Sequence, residues 1–335
     1  MSHRSKSTSM PLALACSILI VGLPLANTVR GDPSADVAAK GWTPIPASGV
    51  ISAPGKYFLE RDIETNREKG IEVRASDVVV DLRGFALRFQ DAPRVGTFGI
   101  SATGRNNITI RNGELGGFWF NTHLSQCEDF SIENVAFDDV AYIGVNVAGS
   151  KHVRIDRNRF VNSRYDIEKP RDKYLIGINI GAEDVVISNN HFHARPPRID
   201  PQSHDIETVF VLLSARVSRR CIVGLNQMTS DRPLPRGYGI WVAKDAQATV
   251  AYNKIRNMKY AICLATDGNA TICHNQISAQ PPVANEPFDS YGVFAKSPAD
   301  LTMRHNVLDS LSHPAFMPAK LDPTNIVKAR TGNPD

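Results

Sequence analysis

The sequence predicts an all-β chain, wound as a single-stranded right-handed parallel β-helix, a solenoid of about nine to ten coils. Three observations predict it. An apolar–x–apolar–x–x–Asn–x–apolar pattern recurs as VRIDRNRF at 153, VVISNNHF at 185 and CIVGLNQM at 221, and again as ATVAYNKI at 248, ATICHNQI at 270 and LTMRHNVL at 301. Looser copies, VVVDLRGF at 78, ITIRNGEL at 108 and FSIENVAF at 130, bring the count to nine. A Gly-apolar pair at 99, 144, 177, 239 and 292, replaced by Ala-Ile at 261, starts nine positions before the next copy in five of six cases and eight before it at Gly177. Each unit holds short period-two segments, and the turn signals that a sandwich of hairpins needs are scarce.

The chain divides into four parts. Residues 1–31 carry Arg4 and Lys6, then a mostly apolar stretch from Met10 to Ala26, then small and polar residues to Gly31. That order is the pattern of a signal peptide, and Pro11, Gly22 and Pro24 break a run already short for a membrane span. Residues 32–70 are expected to form an N-terminal capping segment that shields the first open edge. Residues 71–309 hold the repeats, and 310–335 form a C-terminal tail or cap. A unit of about 22 residues with two or three strands cannot close its own core, so units must stack in parallel. In VRIDRNRF, Val153, Ile155 and Phe160 then point inward and the charged residues outward. Asn158 takes the turn and bonds to the asparagine of the next coil, as Asn190, Asn226, Asn253, Asn275 and Asn306 do in theirs.

Without residues 1–31, which hold Arg4, Lys6 and Arg30 and no acid, 35 basic residues face 34 acidic ones. A chain this close to neutral gives no support for a nucleic-acid partner. It is expected to be secreted or periplasmic, with no stable membrane insertion once the signal is removed. Cys127, Cys221, Cys263 and Cys273 lack zinc-site spacing. Cys221 takes an inward slot, whereas Cys263 and Cys273 face outward on different strands of one coil and should not bridge.

The repeats, following such an N-terminal segment, resemble the right-handed β-helix proteins of the pectin-lyase-like superfamily. The stretch VISAPGKYFLERDIE with GIEVRASDVVVDLRGFALRF is similar to the opening of many secreted members. The resemblance covers roughly residues 45–310. It implies the fold, and it leaves open lyases, hydrolases, epimerases and non-enzymatic surface proteins.

Insertions at one position of a repeat project from one edge. The segments 161–176, 193–209 and 229–238 follow one another in consecutive units, and 278–291 comes two units later. Three neighbouring loops beside a sheet would wall a groove. Their content suits an acidic polysaccharide, acted on by β-elimination or C5 epimerisation. Proton abstraction beside a uronate carboxylate needs a base, and positive charge to stabilise the enolate-like intermediate. His193, His204, Tyr165 and Tyr238 are the candidates for proton transfer. Arg164, Arg195 and Arg236 are candidates for binding carboxylates, with Asp200 and Asp205 in the same wall. The competing reading is a non-catalytic polysaccharide-binding or scaffold β-helix whose polar loops are merely solvated.

Weaker signals fall in the same loops. RIDPQSHD resembles the Asp-Pro-His segment of uronan epimerases, but its histidine lies three residues after the proline and no Tyr-Gly precedes the Asp. RPPR at 195 and RPLPR at 232 resemble the arginine–proline segment of pectate lyases without its spacing. Asp138-Asp139 stands without the Gly-His-Gly of polygalacturonases. No cofactor is required by the sequence. His191, His193, His204 and Asp205 are transition-metal ligand types, and Asp200 and Glu207 suit calcium. Tyr238, Tyr260 and Tyr291 each precede the start of a unit and are expected to stack in a row.

Overall fold

The computed structural model describes residues 41–92, 94–138, 140–162, 173–179, 181–195, 208–214, 220–265, 269–280, 289–295, 301–316 and 323–328. Every strand pairing among them is parallel, and they join into one continuous sheet wound into coils. Each coil has three faces. Phe98–Thr103 lies on the first, here called face A. Asn106–Gly116 begins on face B and bends onto face C. Phe120–Ser125 then returns to face A, one layer on.

The predicted inward positions form the core columns. On face B, Val78, Ile108, Phe130, Val153 and Val185 stand in register, each 1% exposed or less. On face C, Leu87, Leu115, Phe137, Phe160, Phe192 and Met228 follow one another, fully buried. The rings of Phe137, Phe160 and Phe192 stack with centroids 4.6 and 4.8 Å apart, the layer spacing of a parallel sheet. Between the columns, outward residues such as Arg154 and Arg159 keep their charges in solvent.

The asparagine column is continuous. Nδ2 of Asn158, Asn190, Asn226, Asn253 and Asn275 each donates to Oδ1 of the asparagine above, at 3.0–3.1 Å. The backbone N–H of each donates to the same oxygen, at 2.9–3.1 Å. Nδ2 also reaches a carbonyl of the coil below, as Asn253 does to Val223 at 2.8 Å. Asn325 adds a rung beyond Asn306, at 2.9 Å. The residue before each asparagine, from Arg157 to His305, adopts a left-handed conformation with φ of 55–58°. That is how the chain turns the corner from face B to face C so sharply. The ladder satisfies buried amides at a corner that would otherwise strand them.

The stack is longer than nine to ten coils. Each face carries eleven strands among the described residues, from Trp42–Ile45 on face B to Ile326–Lys328 on face C. The additional layers come from both ends. Strands within 42–65, expected in the capping segment, already pair in the ladder. His313–Phe316 and Ile326–Lys328 extend it into the expected tail.

Two further expectations are corrected. Gly177 does not begin its unit: it pairs with Asn146, and Ile143 pairs with Tyr174, so Leu175 holds the place of Gly144. The segment 229–238 is not a free loop. It belongs to one long strand, Gln227–Val242, which passes from face C to face A through irregularities between Thr229 and Tyr238. Leu234 is buried there and draws the strand inward. Cys127, Cys221, Cys263 and Cys273 form no disulfide among the described residues. Cys221 is buried as expected. Cys263 alternates with the inward Ile262 and Leu264, yet is only 8% exposed, since Trp241 and Phe294 stand on either side in register.

Candidate functional site

The long insertions share one corner. Arg159–Asn162 and His191–Ala194 end on face C, and Lys173–Ile178 and Thr208–Leu213 resume on face A. The bulged stretch of Gln227–Val242 crosses at the same corner. Residues 163–172 and 196–207 lie outside the described residues. Tyr165, Arg164, His204, Asp200, Asp205 and Glu207 fall there, so the expected wall is placed only by its flanking strands.

His193 and Arg195 are described, and both lie on face C. Phe192 points inward, so His191 and His193 face outward together, with near-parallel rings 6.3 Å apart. His193 is held at both nitrogens: Nδ1 lies 3.2 Å from Thr229 Oγ1, and Nε2 lies 3.2 Å from Asp231 Oδ1. The two partners come from the strand one layer above. Burial, then the neighbouring His193 and Arg159, depress the titration of His191, which favours its neutral form.

Below the histidines the same outward columns are acidic and basic. Arg159 stands one layer under His191 and pairs with Asp138 at 3.3 Å. Arg88 pairs with Glu114. Burial, then the charge of Asp138, pushes the Glu114 carboxyl above its ordinary range despite Arg88. These groups line a groove of about 380 Å³ with Glu64 and the exposed Arg195 at its rim. Glu114, Arg88 and Arg159 were missed from the sequence because each occupies an x position between apolar residues. Aligning the copies vertically would have shown Glu114, Arg159 and His191 in one column.

Tyr238 and Arg236 sit elsewhere. Arg236 is exposed within the crossing segment. Tyr238 begins the expected aromatic row on face A, stacking on Tyr260 at 5.0 Å, which stacks on Tyr291 at 5.1 Å and that on His313 at 4.6 Å. These rings cover one another along the axis and turn their edges outward, so the row is a structural stack and not a platform on which a sugar ring could lie. Face A also holds a second concavity, of about 420 Å³, near its N-terminal end.

Among the described residues, one group of histidine and acids is close enough to share a cation: Glu128, Asp129 and His152, all exposed. His152 is already held between Asp129 at 3.1 Å and Asp184 at 3.6 Å.

A family model described as a right-handed β-helix region matches residues 51–197. The chain folds as a right-handed parallel β-helix. No curated protein matches this β-helix. Among solved structures, it is similar to a DFA-IIIase from Arthrobacter chlorophenolicus A6 without its lid, with 11% identity and a TM-score of 0.48, covering 82% of this chain and 75% of that one. It is also similar to PfbA, a surface adhesin of Streptococcus pneumoniae, with 12% identity and a TM-score of 0.47, covering 80% and 81%. An alginate lyase from Paenibacillus sp. str. FPU-7 has 12% identity and a TM-score of 0.43, covering 69% and 97%. Identities this low speak to the fold alone.

Proposed function

We propose that this β-helix is a secreted or periplasmic protein that acts on an acidic polysaccharide along face C, by β-elimination or C5 epimerisation. One observation carries the reading. The outward surface of face C presents histidines, arginines and carboxylates on successive coils, spaced for a polymer lying along the axis. His193 is the proton-transfer group. Thr229 fixes its ring at Nδ1, and Asp231 occupies Nε2 in the free protein. Asp231 is exposed, so bound substrate can displace it from Nε2. Arg159 and Arg195 supply positive charge for uronate carboxylates and for the developing enolate.

The experiment is incubation with pectate, alginate or hyaluronate, followed by ultraviolet absorbance of the unsaturated product and by NMR for epimerisation. His193→Ala should lower the rate at least ~100-fold with the fold intact, the usual scale for a lost general base. Undiminished turnover in that variant would remove His193 from the chemistry. A wild-type protein that binds these polymers but transforms none of them would be a binding scaffold.

Glu114 supports a second reading. A carboxyl whose titration is raised by burial and then by the charge of Asp138 is the arrangement of a general acid beside a carboxylate, which suits glycosidic hydrolysis. New reducing ends without ultraviolet absorbance, abolished by Glu114→Gln, would favour hydrolysis over elimination.

A further inference from the structure

The concavity on face A is built differently from face C. Its floor is the outward column Glu72, Ser101 and His123, one residue per coil, with Asn146 on the next. Ser101 is only 6% exposed, and its hydroxyl has no hydrogen-bond partner among the described residues. The Nε of Arg105, in the wall, is also buried without a partner among the described residues. The amide chain beside them fixes the state of the histidine. Asn179 Nδ2 donates to Asn146 Oδ1, so Asn146 turns its own Nδ2 to His123 Nδ1 at 2.7 Å. A ring that accepts at Nδ1 and is neutral carries its proton on Nε2. Burial first, then the charge of Lys69, depresses the titration of His123 and keeps it neutral.

Three donors therefore line one cavity without a described acceptor: the Ser101 hydroxyl, Arg105 Nε–H and His123 Nε2–H. The acids there do not answer them. Glu72 is bound by Lys69 and by Arg74, each at 2.7 Å, and with Glu68 it is outnumbered by Lys69, Arg74 and Arg105. Phe98 offers an apolar ring at the side, 5.1 Å from His123. Buried donors left unmade are costly, and such groups are satisfied by a ligand or by ordered water.

We propose that this cavity is a binding subsite for one carboxylated sugar unit, whose carboxylate accepts from Arg105, Ser101 and His123 while its ring lies against Phe98. It deepens the polysaccharide reading and rests on it only for the polymer. The subsite itself requires nothing of His193.

The test is titration of the full chain with monomeric galacturonate, and with glucose as the neutral counterpart, followed by calorimetry and by the ring nitrogen resonances of His123. Galacturonate should bind and shift the His123 Nε2 signal, and glucose should not. Arg105→Gln and Ser101→Ala, each checked for an unchanged circular dichroism spectrum, should weaken binding by roughly tenfold or more, the scale of hydrogen bonds to a charged group. Binding read at the His123 resonance, and not turnover, separates this subsite from the chemistry on face C. The proposal is overturned if galacturonate fails to bind, if glucose binds equally well, or if Arg105→Gln and Ser101→Ala leave the affinity unchanged. Loss of binding in His193→Ala alone would place the sugar on face C and overturn the subsite while sparing the polysaccharide reading.

Discussion

Asn253 makes five ladder bonds: two accepted from Asn226, two donated through Nδ2 to Val223 and Asn275, and one from its backbone N–H to Asn275. Asn253→Ala removes four of them and strands the buried backbone N–H of Asn226. Each orphaned buried group costs about 1–3 kcal/mol. The variant should unfold at clearly lower denaturant concentration with an unchanged m-value, and an unshifted midpoint would show the ladder to be ornamental. Asp156 is the other polar residue on which the coil depends. Burial alone would raise its carboxyl, but bonds from Asn189, Ser188 and Arg154 and the charge of Arg157 outweigh it and hold it below the ordinary range. A depressed acid stabilises the folded state above its unfolded pKa, and that contribution is lost as pH falls through the folded value. Asp156→Asn should therefore lower the melting temperature at neutral pH, and the gap from wild type should close as the solution is acidified below the normal aspartate range.

The strands show what the repeat pattern discloses and what it hides. Inward positions, the asparagine column and the aromatic row from Tyr238 to Tyr291 were legible because each recurs at fixed spacing and has one physical use. Register failed at Gly177, where a Gly-Ile pair mimicked the unit start while Leu175 held it. At the coils where glycine holds that place, the reason is steric. A Cβ on Gly239 would lie 2.5 Å from the carbonyl oxygen of Ala261 in the coil above, and one on Gly99 would lie 2.4 Å from that of Asn121. Gly239→Val should thus push two coils apart, lowering stability by about 1–3 kcal/mol or more, the scale of an overpacked core. Thermal unfolding of this variant beside Gly84→Ala, where a Cβ meets nothing within 4 Å, separates crowding between coils from loss of backbone freedom, since Gly84 has a positive φ. Equal losses in the two variants would refute the steric account. The site was less legible than the strands. Of the described candidates, Arg195 lines the groove on face C and His193 stands one layer above Val161 of that groove, but Glu114, Arg88 and Arg159 are scattered over coils far apart in sequence, and only stacking brings them together.

Across the whole molecule, each coil touches only its neighbours, so stability is close to a sum of coil and interface contributions along one axis. Phe160 sits at the middle of the stacked rings, fully buried between Phe137 and Phe192. It also belongs to the region where two long insertions leave face C, and closing such loops adds entropy to the cost of ordering those coils. Phe160→Ala would remove ~3–5 kcal/mol of packing from that point. In a globular core with contacts in every direction the loss would be shared by the entire fold. Here it should stay local. Hydrogen exchange should accelerate in the strands Glu128–Asp138, Lys151–Asp156 and Glu183–Ser188, while Gln247–Ala251 and Asn269–Cys273, several coils above, keep their wild-type protection. Uniform acceleration from Phe98 to Leu308 would mean that the solenoid unfolds as one cooperative body. The groove on face C and the cavity on face A would then share their stability, and a ligand bound in one would tighten the other. Local acceleration would make the two sites energetically separate, so that a sugar held near Ser101 steadies only the coils around it.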